Sequence, residues 1–164
     1  EISSEYGASN FDWKNLPEDR NRLWEARHNA YYAAIALKPG CVAWSSDVCV
    51  PITSLTECII ESKKELKSMG LLAPLVGHVG DGNFHLLYLV DPDNKEEQIK
   101  AKNHNKKMVE RAIDLGGTCT GEHGIGYGKA KFLAKEAGSA IQIMKIIKNS
   151  FDPQGILNPG KIFL

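Results

Sequence analysis

Two short apolar runs, residues 72–79 and 83–90, are separated by a turn sequence within Gly77-His78-Val79-Gly80-Asp81-Gly82-Asn83-Phe84-His85. A two-residue type I′ hairpin turn needs positive φ at both central positions, and Asp-Gly is among the few pairs that suit it. Placing Asp81 and Gly82 at that turn predicts Gly80 opposite Asn83, Val79 opposite Phe84 and His78 opposite His85. Directly opposed residues share a sheet face, with Cβ atoms about 4.5–5.5 Å apart. His78 and His85 are therefore expected on one face, and Val79 and Phe84 on the other, in a core. Two imidazoles so placed can share one metal ion at about 2.0–2.1 Å from each nitrogen. The alternative is a cross-strand pair of structural histidines bonded to the backbone.

The remaining elements follow from periodicity and punctuation. Residues 17–37 read as one helix, with Trp24, Arg27, Tyr31 and Ala34 on one stripe suited to burial, ended by Pro39-Gly40. Residues 42–50, rich in β-branched side chains, read as a single strand stopped by Pro51. Ser54-Leu55-Thr56-Glu57 has the form of a capping box, opening a helix that runs to Met69 before Gly70. Asp93 and Glu96 mark a second long helix to Leu115, broken by Gly116-Gly117. Helices at 129–136 and 139–150 precede a turn-rich tail, Asp152-Pro153-Gln154-Gly155-Ile156-Leu157-Asn158-Pro159-Gly160-Lys161. The order strand, helix, strand, strand, helix predicts an α+β fold: a ferredoxin-like split βαβ with an antiparallel sheet, helices on one face and a C-terminal helical and turn segment.

Composition narrows the function classes. Hydrophobic residues make up 43% and charged residues 24%, enough apolar material for a core and against wholesale disorder. Twenty basic and twenty acidic side chains balance, which argues against a binder of nucleic acid through a broad basic surface. No run approaches the roughly 18 consecutive apolar residues of a membrane span. Cys41, Cys49, Cys58 and Cys119 form no C-x-x-C pair, so a reducing compartment is expected. The chain opens on Glu1 with no signal or transit pattern, and an excised part of a longer protein is the expectation.

A second chemical cluster lies in Thr118-Cys119-Thr120-Gly121-Glu122-His123-Gly124-Ile125-Gly126. Neighbouring side chains of extended backbone diverge, so Glu122 and His123 are expected to take separate tasks, one at the metal and one at the reacting group. His, His and Glu form a ligand set of the catalytic type, with positions left for water or substrate. A solvated Glu-His turn is the alternative. Arg27 either snorkels from its apolar stripe or binds a carboxylate through two parallel hydrogen bonds. His28 and His104 read as ordinary surface positions.

Five motifs in order, Leu23-Trp24-Glu25-Ala26-Arg27, Ser46-Asp47-Val48-Cys49-Val50-Pro51, the His78 to His85 stretch, Gly121-Glu122-His123-Gly124 and the Asp152 to Lys161 tail, resemble the C-terminal catalytic half of the flavin-linked 2-hydroxyacid dehydrogenases of the vanillyl-alcohol oxidase superfamily. The resemblance implies a divalent metal, zinc or manganese, held by His78, His85 and Glu122. It implies His123 as catalytic base, Arg27 as the grip on the substrate carboxylate, Tyr31 as a further pocket residue and Asn158 near the flavin. It further implies that residues 1–164 are one such domain, that FAD is bound by an N-terminal domain absent from this chain, and that the chain alone is inactive and prone to self-associate. The likeness is greatest to mitochondrial, cytochrome-linked members, implying a mitochondrial address and an acceptor such as cytochrome c. Members acting on dicarboxylic acids resemble this chain but carry lysine in place of Ser45 and asparagine in place of Leu87. A second carboxylate against Leu87 would be stranded, at a cost of several kcal/mol. A small monocarboxylate such as D-lactate is the expected substrate. A stand-alone metal-dependent hydrolase and a non-catalytic α+β binding module are the competing readings.

Overall fold

The computed structural model describes residues 2–7 and 13–163. Two compact units divide at Pro39. The first holds α1 (Ile2–Glu5), α2 (Pro17–His28) and α3 (Ala30–Ala36). Pro17 opens α2, Glu18 and Asp19 fill its first turn, and Arg27 and His28 its last, all in the sense the helix dipole favours. The single helix expected over residues 17–37 is interrupted at Asn29, whose N–H still reaches Glu25 O at 2.9 Å. Of the expected buried stripe only Ala34 is buried: Trp24 and Tyr31 are about half exposed, at 53% and 48%, and α2 buries no residue.

The second unit is built on a sheet of β1 (Val42–Ser45), β2 (Val48–Cys49), β3 (Leu75–His78) and β4 (Asn83–Val90). Central β4 pairs antiparallel with β3 on one edge and with β1 and β2 on the other. Because β1 and β3 both run against β4, they are parallel to each other. The helix α4 (Ile52–Met69) that joins the two edges completes a split βαβ. The antiparallel α+β expectation holds.

Residues 42–50 form two strands rather than one, in a common register: Ser45 opposes Leu87 and Val48 opposes Phe84. At the break, Ser46 N–H donates to Leu86 O at 2.9 Å. The return bond from Leu86 N–H goes to Ser46 Oγ, at 2.8 Å, instead of the Ser46 carbonyl. One hydroxyl thereby frees a backbone acceptor beside His85.

The β3–β4 connection also departs from expectation. His78 opposes Asn83, Gly77 opposes Phe84 and Val76 opposes His85. A 3₁₀ turn over Val79–Asp81 closes on Gly82, at φ 75°, while Asp81 keeps negative φ. The Asp81 side chain thus avoids the strain a type I′ turn would impose, and the loop takes four residues. Gly82 is required here, since a Cβ would lie 2.0 Å from Val50 O. Val79 consequently lies in the turn at 58% exposure, not in the core. The pairing moves by two residues, so each side chain keeps its face.

Along β4, Phe84, Leu86, Tyr88 and Val90 join a core with Leu55, Cys58 and Leu66 of α4 and with Ala101, Met108, Val109 and Ala112 of α5 (Lys95–Asp114). Asn83, His85, Leu87 and Leu89 point the other way and are also buried. Helix α4 starts at Ile52 directly after extended Pro51, so Ser54 sits in the first turn without a capping role. Its end matches expectation: left-handed Gly70 lets Leu71 N–H return to Leu66 O at 3.0 Å. The cap of α5 is Asn94, one residue beyond Asp93, with Oδ1 accepting from Glu97 N–H at 3.0 Å. Helices α6 (Ala130–Ala137) and α7 (Ala140–Phe151) follow. Among the described residues no helix is long and apolar enough to cross a membrane.

His104 is a correction: it is fully buried on α5. Its Nε2 lies 2.9 Å from Ser62 O, which can only accept, so Nε2 carries the proton. Nδ1 then accepts from the Tyr88 hydroxyl at 2.6 Å. Periodicity alone hides this, because a histidine on a lysine-rich helix looks solvated until a tyrosine from the sheet meets it. Burial, the leading cause, holds the His104 pKa below its ordinary value. The unfolded chain therefore takes up a proton near the usual pKa of about 6.5 while the folded chain resists. This contribution to stability is complete above that pH and lost as pH falls through the lower folded value. Urea unfolding at pH 7.5 and 5.5 is expected to show a loss of stability in acid that His104→Gln reduces; an unchanged slope in the variant would refute the assignment.

Candidate metal and proton-transfer site

The face of β4 opposite the helices carries His85, and the end of β3 carries His78. Their ring centroids are 6.4 Å apart, with planes at 88°. The loop after α5 brings Glu122 between them: Oε1 lies 3.0 Å from His85 Nε2 and 3.9 Å from His78 Nε2. One ligand atom from each of the three residues falls within 4.8 Å of the others. His85 is buried while His78 and Glu122 are exposed, so the cluster has a wall and an open side.

The proton on His85 follows from its neighbour. Nδ1 lies 3.0 Å from the Ser46 carbonyl freed at the strand break, and a carbonyl only accepts. Nε2 is thus the nitrogen left to face a carboxylate oxygen. An imidazole nitrogen and a carboxylate oxygen 3.0 Å apart are joined either by a proton or by a cation that both ligate. Backbone orientation of a metal-binding imidazole through its other nitrogen is the usual arrangement around such ions. The donor set therefore fits a divalent cation.

His123 lies beside this set: its Nε2 is 3.7 Å from Glu122 Oε1 and its ring centroid 5.5 Å from that of His85. The divergence expected of adjacent side chains does not occur, because the backbone is curled rather than extended. Glu122 N–H and His123 N–H both donate to one oxygen, Asp47 Oδ2, at 3.2 and 3.0 Å. The same oxygen accepts from Thr120 Oγ1 at 2.9 Å and from Lys129 Nζ at 3.0 Å. Asp47 Oδ1 accepts from Asn83 Nδ2 at 2.9 Å. Burial works to raise the Asp47 pKa. The bonds from His123 N–H, Asn83, Lys129 and Thr120 outweigh it and hold the carboxyl far below the ordinary carboxylate range.

Sequence reasoning assigned no role to Ser46, Asp47, Asn83, Thr120 or Lys129. The available signal was the polar pair Ser46-Asp47 interrupting a β-branched run. Arg27 and Tyr31 belong to the first unit; there the Arg27 guanidinium stands 5.1 Å from the centre of the Trp24 ring, and the Tyr31 and Tyr32 rings meet edge to face. Asn158 follows a turn in which buried Asp152 accepts from Ile156 N–H and Leu157 N–H, both at 3.0 Å, and from Lys148. Asn158 has a φ of 48°, a left-handed conformation that asparagine tolerates better than most residues.

The chain belongs to the FAD-linked oxidases, through their C-terminal domain, whose family description matches residues 1–162. It is 49% identical to "Probable D-lactate dehydrogenase, mitochondrial" of Danio rerio, over 99% of this chain and 33% of that protein. Identity to "D-lactate dehydrogenase [cytochrome], mitochondrial" of Arabidopsis thaliana is 45%, over 99% of this chain and 29% of the relative. A glycolate oxidase subunit, GlcD, of Bacillus subtilis is 37% identical over 89% of this chain and 31% of that protein. The chain thus spans about a third of the length of these curated relatives. The solved structure of 4-ethylphenol oxidase from Gulosibacter chungangensis, in complex with isoeugenol, shares the fold, with a TM-score of 0.59 at 18% identity over 92% of this chain and 31% of that one.

Proposed function

We propose that this chain is the substrate- and metal-binding part of an FAD-dependent D-2-hydroxyacid dehydrogenase that oxidises D-lactate to pyruvate, located in mitochondria and passing electrons to an acceptor such as cytochrome c. The reading rests on the family and on the relatives named D-lactate dehydrogenase. The observation that carries its chemistry is the convergence of His78, His85 and Glu122, with His85 Nε2 3.0 Å from Glu122 Oε1 and Nδ1 turned to the Ser46 carbonyl.

His78, His85 and Glu122 would hold a divalent ion, with zinc and manganese both suited to such donors. When bound, that ion supplies a Lewis acid for the substrate 2-hydroxyl, and FAD supplies the hydride acceptor. His123 takes the hydroxyl proton as general base, one residue along the loop from Glu122. Arg27 and Tyr31 are assigned to the substrate carboxylate on the strength of the Leu23 to Arg27 motif, and Asn158 to the flavin edge on the Asp152 to Lys161 motif. FAD would be held mainly by a domain outside these 164 residues.

Selectivity follows from the sheet. Leu87 lies two residues along β4 from His85, on the same face, and is buried; Ser45 opposes it across the β1–β4 pair. Neither supplies a charge. A dicarboxylate would press its second carboxylate on that apolar wall, so kcat/KM for a five-carbon 2-hydroxydicarboxylate is expected to fall at least about 10²-fold below that for D-lactate, the equivalent of roughly 3 kcal/mol.

The test is elemental analysis of the full-length protein with turnover of D-lactate by a dye acceptor. About one divalent ion per chain is expected, with loss of both ion and activity in His85→Ala. Full activity without a metal, or a His85→Ala variant retaining both, would defeat the reading.

A further inference from the structure

We infer that Asp47 is the positioning residue of this site: its buried carboxylate ties the Glu122–His123 loop to strand β4 and so sets where both side chains point. The inference deepens the proposed function and rests on its assignment of Glu122 and His123. Asp47 lies between β1 and β2 and is 2% exposed. Its two oxygens divide the work. Oδ2 gathers the loop, accepting from Thr120 Oγ1, Glu122 N–H and His123 N–H. Oδ1 gathers the sheet, accepting from Asn83 Nδ2, which also donates to Val48 O at 2.9 Å. Asn83 is two residues from His85 on the same face of β4 and directly opposes His78. Every residue of the cluster is therefore at most two positions from a group bonded to Asp47 or facing one.

Consecutive amides converging on one anion form a curled nest. In that conformation the side chains of neighbours 122 and 123 reach the same place instead of opposite sides. Lys129 donates to Asp47 O at 2.9 Å as well as to Oδ2. Its charge cancels that of the carboxylate, so the anchor adds no net charge beside Glu122. Hydrogen bonds to an ionised acceptor are about twice as strong as neutral ones. Asparagine cannot stand in: its amide would direct N–H groups at donors on one side and leave Lys129 without a counter-charge.

The experiment uses the full-length protein, prepared without metal and titrated with Zn²⁺ or Mn²⁺ against a chelator, in wild type, Asp47→Asn and Thr120→Val. Asp47→Asn is expected to weaken metal affinity about 10- to 100-fold, the range typical of groups that orient ligands. Thr120→Val, which removes one loop donor, is expected to lower it less. In the metal-free protein, deuterium uptake of peptides spanning residues 118–124 should rise in Asp47→Asn while peptides of β4 and α5 keep their protection. A purely structural role would instead raise uptake across the fold and leave the metal affinity of the folded fraction unchanged. That result overturns the inference, as does wild-type affinity and loop protection in both variants. If Asp47→Asn does not fold, Thr120→Val decides by the same two readouts. Failure of the wild type to bind either metal would refute the proposed function, and the loop uptake would still decide the role of Asp47.

Discussion

Replacing His123 with alanine in the full-length enzyme is expected to lower kcat by about 10²- to 10⁴-fold, the usual contribution of a general base, while metal content stays at the wild-type level. The separation follows from the cluster. The three residues whose donor atoms converge are His78, His85 and Glu122, and the His123 backbone rather than its imidazole is what Asp47 grips. Truncation at Cβ therefore removes a proton acceptor and leaves the loop anchored. Elemental analysis and steady-state turnover on the same preparation check the point. Loss of metal along with activity would make His123 a ligand, and unchanged kcat would remove it from the chemistry.

Gly121→Ala is expected to be comparably damaging although it changes no polar group. A Cβ at position 121 would lie 1.8 Å from Asn83 Nδ2 and 2.8 Å from Asp47 Oδ1. Cβ is fixed by the backbone, so the relief must come from the buried Asn83 side chain or from the loop itself. Either Asn83 is expelled, losing its bonds to Asp47 and Val48 O, or the loop backs away and carries Glu122 from His85. Overpacking of this kind destabilises by about 1–3 kcal/mol, and displacement of a catalytic group by about 1 Å can cost 10²-fold in rate. A fall in kcat/KM of about 10²-fold with weaker metal retention is the expected result, read by kinetics and chelator competition. An alanine variant with wild-type kinetics would show that the loop does not need this close approach.

The legible parts of the molecule are those governed by neighbours in the chain. Alternation along residues 83–90 separates a face with Phe84, Leu86 and Tyr88 from one with His85 and Leu87, and that separation survives in the sheet. The hairpin register differs from the expected one because Asp81 avoids positive φ and the loop takes four residues. His78 and His85 nonetheless share a face, since a shift of two residues preserves side-chain parity. Gly70 and the Gly116-Gly117 pair stop their helices as their lack of Cβ suggests. The apolar residues of α2 stay exposed, because periodicity says which residues lie together and not what covers them.

By itself, then, the sequence determined which main segments are strand or helix, that a turn returns β3 along β4 and the residue types able to form the cluster, because these depend on periods of a few residues and on local backbone preference. Only the tertiary structure decided which nitrogen of His85 carries its proton, that His104 is sealed under Tyr88, and that Asp47 holds the loop. The last rests on bonds to Asn83, Thr120 and Lys129, which lie 36, 73 and 82 residues away. At such separations the partner of a buried charge is chosen by where the packed sheet and helices place the donors, and no local pattern in the chain encodes that choice.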